Sequence, residues 1–285
     1  MEAGILPDVR VGQAVANPDR LDQYRHAHES CLGVAMGALN GIRVLDLSRL
    51  LPGPFCSTIL ADHGASVIVV EAPRFRERSV IGSVPMVRRN KRHLALNLRE
   101  EAGREIFMSL AANSDVVLEA FRPGVVCDLG VDYGAVQQIN PKIIYCSLSG
   151  YGQTGPLSGK AVHDLNCVAY AGILDLFRES SGTPVKPGVP LAGLTGSLYA
   201  AIGILLALVS RQATGKGQFI DTSMCDGLVS FLALPLSALG NGSLLTDGKG
   251  SVHRPPVPYY RAYRTMDNRY ITVGALEGHL WEHFC

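Results

Sequence analysis

The sequence predicts an α/β fold: a Rossmann-like large domain on a parallel sheet, followed by a smaller, incomplete second domain. Three observations predict it. Short β-branched runs alternate with stretches of helical periodicity from residue 42 onward, the order that βαβ units impose. The run VIVV at 67–70 is uninterrupted, as in strands buried on both faces. Strand, helix and strand fit within about thirty residues, the span of one βαβ unit.

Residues 42–47 form the first β-rich run and close at the turn PGP at 52–54. Residues 55–63 carry apolar side chains at helical spacing and stop at Gly64, which suits a C′ position. The strand at 67–70 follows. Residues 93–98 alternate like a strand, 99–113 form an amphipathic helix, and 115–119 the next strand. A short helix at 133–139 precedes a strand at 142–148, and a Gly/Pro/Ser-rich loop at 150–159 leads to a helix around 164–174. The segment 196–212 is a strongly apolar helix ended by the turn TGKG at 214–217, 219–223 is a strand, and 226–239 is a further apolar helix. Residues 1–40 read as an N-terminal extension, 41–240 as the large domain and 241–285 as the start of the small one, with a strand at 269–274. The chain stops inside an apparent helix without a cap, so the sequence is expected to be truncated.

Composition narrows the function classes. Of 285 residues, 47% are apolar and 18% charged, a globular mixture that excludes extended disorder. Lys and Arg total 26 against 25 Asp and Glu, a net charge of +1, so no global field draws nucleic acid or an anionic membrane. The longest apolar run, 198–209, has about a dozen residues where a spanning helix needs about 20; it is expected to be a buried core helix. The seven cysteines are scattered, with no C-x-x-C and no zinc spacing. They predict buried free thiols in a reducing compartment and no metal. The N-terminus carries neither a signal peptide nor an Arg-rich transit pattern, making the cytoplasm the expected location.

No G-x-G-x-x-G follows the first strand, and neither a Walker A sequence nor a G-x-S-x-G elbow occurs. NAD, ATP and serine-hydrolase chemistry are therefore disfavoured. Arg74, Arg76, Arg78, Arg88, Arg89, Lys91 and Arg92 form a basic cluster, read either as a solvated loop face or as a phosphate clamp. His163 and Asp164 follow the glycine-rich loop; Asp164 is either a helix cap or a catalytic carboxylate. Glu277 sits just past a strand end, where α/β chemistry often collects.

Together these pieces resemble the class III CoA-transferase family (CaiB/BaiF type), which includes formyl-CoA and carnitine CoA-transferases and the α-methylacyl-CoA racemases. The resemblance is carried by GIRVLDLS at 41–48, PGP at 52–54, LADHGA at 60–65, VVE at 69–71, RNKR at 89–92, LNL at 96–98 and FRPG at 121–124. SGYGQ at 149–153, GP at 155–156, HDLN at 163–166, GIL at 203–205 and TGKGQ at 214–218 continue it in order to the end of the chain.

The resemblance implies a coenzyme A or acyl-CoA substrate with no prosthetic group, a small carboxylic acid as the other substrate, and an interlocked homodimer. By position it implies CoA contacts at Leu96, Asn97, Leu98, Arg99, Ala120, Phe121, Arg122 and Asn166, with Arg89 and Arg92 of the basic cluster facing CoA phosphates. Asp164 falls where the transferases keep their nucleophile, His163 where the racemases keep a catalytic histidine, and Glu277 matches a carboxylate near that site. The second racemase base is an aspartate in the family, and Gly193 stands at its place here. CoA transfer through Asp164 is therefore the expected activity, racemisation of 2-methylacyl-CoA the alternative, and an inactive CoA-binding subunit the third possibility.

Overall fold

The computed structural model describes residues 37–73, 85–178, 182–241, 245–246, 252–253 and 257–285. The chain divides into two compact units, one of Met36–Gly242 with Thr246–Val252, the other including His253–Cys285. Most of the 1–40 extension and Arg74, Arg76 and Arg78 lie outside the described residues.

The larger unit is built on a six-stranded sheet of β1 (Arg43–Asp46), β2 (Ser66–Glu71), β3 (Lys91–Ala95), β4 (Val116–Glu119), β5 (Ile144–Ser149) and β6 (Gln218–Ser223). Its order is β3-β2-β1-β4-β5-β6, and every pairing is parallel. This is the doubly wound arrangement expected. The winding reverses between β1 and β4, which opens a crevice at the carboxyl ends of those strands.

Strand alternation divides the core into two layers. Val44, Val116 and Ile144 face one side, with Leu60 of helix α1 (Pro52–Asp62). Leu45, Val117 and Tyr145 face the other, with Phe107 of α2 (Glu101–Ala112) and Val136 of α4 (Tyr133–Ile139). Between α2 and α4, a single turn α3 (Val125–Asp128) follows β4, a helix the periodicity does not announce.

Several boundaries differ from expectation. Helix α1 begins at Pro52, inside the turn read from PGP, because proline suits the first helical position, where its missing N–H is not needed. Strand β3 starts at Lys91, two residues early. The helix expected around 164–174 is α5 (Asp164–Tyr170), ended before Gly172 at φ +79°. The apolar helix α6 (Leu191–Thr214) starts five residues earlier than read from the sequence. The helix expected at 226–239 is split into α7 (Met224–Ser230) and α8 (Ala233–Gly240).

At 24 residues α6 is long and apolar enough, by length and composition, to cross a membrane. In the fold it is a core helix on one face only: Ala200, Ile204 and Ala207 are buried, while Leu198, Ile202, Leu206 and Val209 are exposed. The apolar run covers both faces of the helix, whereas the sheet covers one. The cysteine expectation is likewise met in part: Cys56, Cys146 and Cys167 are free and buried, but Cys127 and Cys285 are exposed.

In the smaller unit the expected strand is Tyr270–Gly274, paired antiparallel with Tyr260–Arg264. Asn268, at φ +62°, serves the connecting turn. Helix Gly278–Phe284 follows.

Candidate active site

A cavity of about 440 Å³ opens at the carboxyl edge of the sheet, where the winding reverses. Its volume is in the range of small-molecule sites, about 300–1,000 Å³. Three strand ends supply its floor: residues after β1 (Arg49 to Pro52), after β4 (Ala120 to Pro123) and at the end of β5 (Leu148 to Gly150). The loop before α5 and the first turn of α6 supply the rest, including Val162, His163, Asp164 and Gly193.

The glycine-rich loop after β5 is pinned from below. Gln153 donates its backbone N–H to both oxygens of Asp221, at 2.9 and 3.1 Å. Gly152 takes φ +82° directly over that carboxylate, a conformation side chains rarely adopt. Gly150 meets Val162 so closely that an added Cβ would lie 1.9 Å from Cγ1. These two glycines let the loop turn tightly and deliver His163 and Asp164 to the cavity.

Asp164 is the first residue of α5, with His163 at the N-cap. Asn166 Oδ1 accepts the His163 N–H at 3.1 Å, so Asn166 secures the helix start. Asp164 is half-buried, and its Oδ1 accepts the Gly193 N–H at 2.9 Å. That donor belongs to the first turn of α6 and has no partner within its own helix. A carboxylate there also gains from the partial positive charge at a helix start. His163 is exposed and lines the same cavity.

Among the described residues, the cations Arg49, Arg122 and Lys160 line the cavity. The family resemblance points to Arg122 but to neither Arg49 nor Lys160. Arg49 follows β1 by three residues, and the rule that strand ends at a switch point gather ligand groups would have flagged it. Its guanidinium lies 4.7 Å from the centre of the Phe121 ring. The buried Glu119 accepts the Phe121 backbone N–H at 2.7 Å. Burial raises the Glu119 carboxyl to about 6, against hydrogen bonds from Ser147 and Phe121 that pull it down.

The other sequence-derived positions are distributed as follows. Ala120 and Phe121 line the cavity with Arg122. Leu96 is buried, with Asn97, Leu98 and Arg99 beside it at the carboxyl end of β3, on the same sheet edge. Arg89 is ion-paired with Asp62, and Arg92 donates to Ser66 Oγ at 2.9 Å. Arg88 pairs with Glu71 at 2.9 Å. The Lys91 side chain is buried and donates to Pro54 O, Ser57 Oγ and Val87 O at 2.7, 2.6 and 2.9 Å. The described members of the basic cluster are thus engaged within the protein. Glu277 belongs to the smaller unit, at the N-cap of its helix.

A carboxylate with one oxygen anchored, at the wall of a cavity holding cations, can attack an electrophilic carbonyl. The profile of CoA-transferase family III matches residues 39–285. The alpha-methylacyl-CoA racemase of Homo sapiens is 40% identical over 253 residues, 86% of this chain and 63% of that protein. Succinyl-CoA:glutarate CoA-transferase of Homo sapiens is 37% identical over 247 residues, 83% of this chain and 56% of that protein. A CAIB/BAIF family protein from Brucella suis, known from its crystal structure, is 34% identical with a TM-score of 0.72, covering 83% of this chain and 65% of that one. The chain spans about three fifths of the length of the curated relatives it matches. From the first strand of the sheet to its last residue, the chain belongs to CoA-transferase family III.

Proposed function

We propose that the protein moves CoA from an acyl-CoA to a carboxylic acid, with Asp164 as the nucleophile. The observation that carries this reading is the Asp164 carboxylate on the cavity wall, with Oδ1 anchored by Gly193. The carboxylate adds to the thioester carbonyl, the C–S bond breaks, and CoA thiolate leaves an acyl-aspartyl anhydride. The thiolate then attacks the aspartyl carbonyl, releasing the donor acid and forming an aspartyl-CoA thioester. The acceptor carboxylate attacks that thioester and displaces the thiolate. Attack of the thiolate on the acceptor carbonyl returns Asp164 and yields the new acyl-CoA. Backbone amides of the glycine loop are candidates to stabilise the oxyanions.

CoA itself is assigned to the carboxyl edge of the sheet. Leu96 to Arg99 after β3 and Ala120 to Arg122 after β4 stand three strand intervals apart, roughly 14 Å. An extended CoA bridges that distance, with its thioester at the cavity. The exposed apolar face of α6 supports cover by a partner chain.

Acyl-CoAs such as acetyl- and succinyl-CoA, followed by hydroxylamine and peptide mass analysis, test the mechanism. A hydroxamate on Asp164 is expected, and none in Asp164→Asn. Transfer activity without any adduct at this residue would overturn it.

The 40% identity to a racemase, together with His163 on the same cavity, favours a second reading: removal and return of the α-proton of a 2-methylacyl-CoA. Wash-in of deuterium at the α-carbon, abolished in His163→Ala, would support it.

A further inference from the structure

We propose that Glu119 is a positioning residue for acyl-CoA, holding the Phe121 backbone, and through the Phe121 ring the Arg49 guanidinium, against the cavity. The inference rests on the CoA-binding part of the function proposed above. Glu119 ends β4, one residue before the cavity wall begins, and its carboxylate is buried beneath that wall. It accepts the Phe121 N–H at 2.7 Å, a charge-assisted bond stronger than one between neutral groups. The bond bends the chain straight after the strand. The Phe121 ring lies under the Arg49 guanidinium, 4.7 Å from its centre. That separation is inside the range of cation–π attraction, about 6 Å.

Two different strand ends are tied together by this relay. Arg49 comes from the β1 turn and Phe121 from the β4 loop, and both line the cavity. Without the acceptor beneath it, the Phe121 N–H has no partner and the loop is free to turn away. The ring contact with the Arg49 guanidinium is then lost. Glu119 makes no contact with the cavity itself, so its loss is felt in the binding of the ligand and not in the chemistry at Asp164.

Two variants of similar shape separate the possibilities. Glu119→Gln keeps an acceptor for Phe121, whereas Glu119→Leu fills the space and offers none. Acyl-CoA affinity is measured by calorimetry on Asp164→Asn backgrounds, so that no turnover occurs. Transfer at saturating acyl-CoA is measured on the otherwise unaltered protein. The expected result is a dissociation constant raised about tenfold in Glu119→Leu and within threefold in Glu119→Gln, with the saturated rate of both within threefold of wild type. Unchanged affinity in Glu119→Leu overturns the proposal, as does equal weakening in both variants or a parallel loss of saturated rate. Failure of Glu119→Leu to fold also overturns it, since the carboxylate is then part of the core and not of ligand positioning. Acyl-CoA binding without any aspartyl adduct would sink the transferase mechanism and leave this inference standing; absence of acyl-CoA binding in wild type would sink both.

Discussion

Gly193 donates its backbone N–H to Asp164 Oδ1 at 2.9 Å, so the first turn of α6 grips one oxygen of the carboxylate that begins α5. The bond joins two helix starts. It separates what Asp164 does for the fold from what it is proposed to do for chemistry, because a carboxamide can accept the same bond and cannot act as the nucleophile.

Asp164→Asn is therefore expected to keep a thermal midpoint within about 2 °C of wild type while losing transfer by about a thousandfold or more. Asp164→Ala leaves the buried Gly193 N–H unpaired, at a cost of about 1–3 kcal/mol and a midpoint lower by several degrees. Calorimetry and a transfer assay on the two variants check both halves. Equal activity in Asp164→Asn and wild type would remove Asp164 from the mechanism.

The same geometry says what a side chain at Gly193 would meet. An added Cβ lies 3.4 Å from Leu51 Cδ2 and 3.9 Å from Asp164 Oδ1, ordinary contacts with no clash. Gly193→Ala is expected to fold and to transfer CoA at close to the wild-type rate, since the backbone donor survives. Gly193→Asp brings a second carboxylate to the wall beside Asp164, and two like charges so close oppose each other's ionisation. Transfer is expected to fall about tenfold or more near pH 6, while α-proton exchange rises if His163 already serves the opposite face of the carbon. Proton exchange in deuterated water, followed by mass spectrometry, reports the second effect.

The fold was legible because its signals are local. The uninterrupted apolar strand at 67–70 and the helix stop at Gly64 come from short-range sterics and burial. They led to the parallel sheet directly. Boundaries set by tertiary contact were not legible: α6 begins at Leu191, where Gly196 packs against Met224 and an added Cβ would come within 2.7 Å of its Cγ. Asp164 and His163 were found through motif resemblance, and their placement on a cavity needed the structure. Arg49 stands just past the first strand, and its sequence position becomes a signal only when the strand order makes that strand one side of the switch point, beside Phe121.

Lys91 shows how charge in a sequence misleads. Read as part of a basic cluster, its ammonium is buried 3.9 Å from Asp46 Oδ2. Asp46 in turn accepts bonds from Ser48 Oγ and Ser57 Oγ. The network ties β3 to the turn between β1 and α1, the turn that carries Arg49. Lys91→Met leaves a buried carboxylate without its cation, a loss of about 3–5 kcal/mol that lowers the midpoint by on the order of 10 °C. Adding Asp46→Leu removes the orphaned charge and is expected to recover part of that loss. A double-mutant cycle by thermal unfolding measures it; additive losses would show that the two groups do not act as a pair.

Glu119 makes stability depend on pH in the direction opposite to a salt-bridged carboxylate. Burial lifts its folded pKa from 4.5 to about 6, with the charge of Asp221 adding to the rise and hydrogen bonds from Ser147 and Phe121 reducing it. Between those two values the folded protein keeps a proton that the unfolded chain has released. Its contribution is therefore fully present below pH 4.5 and is lost as the pH rises through about 6, a change of about 2 kcal/mol. Glu119→Gln carries no charge at any pH and retains an acceptor for Phe121. Relative to wild type it is expected to gain stability across this window and to hold a constant offset above pH 7. Urea unfolding of both proteins at half-unit steps of pH measures the difference; curves that run parallel from pH 4 to 7 would mean that Glu119 ionises in the fold as it does in the unfolded chain.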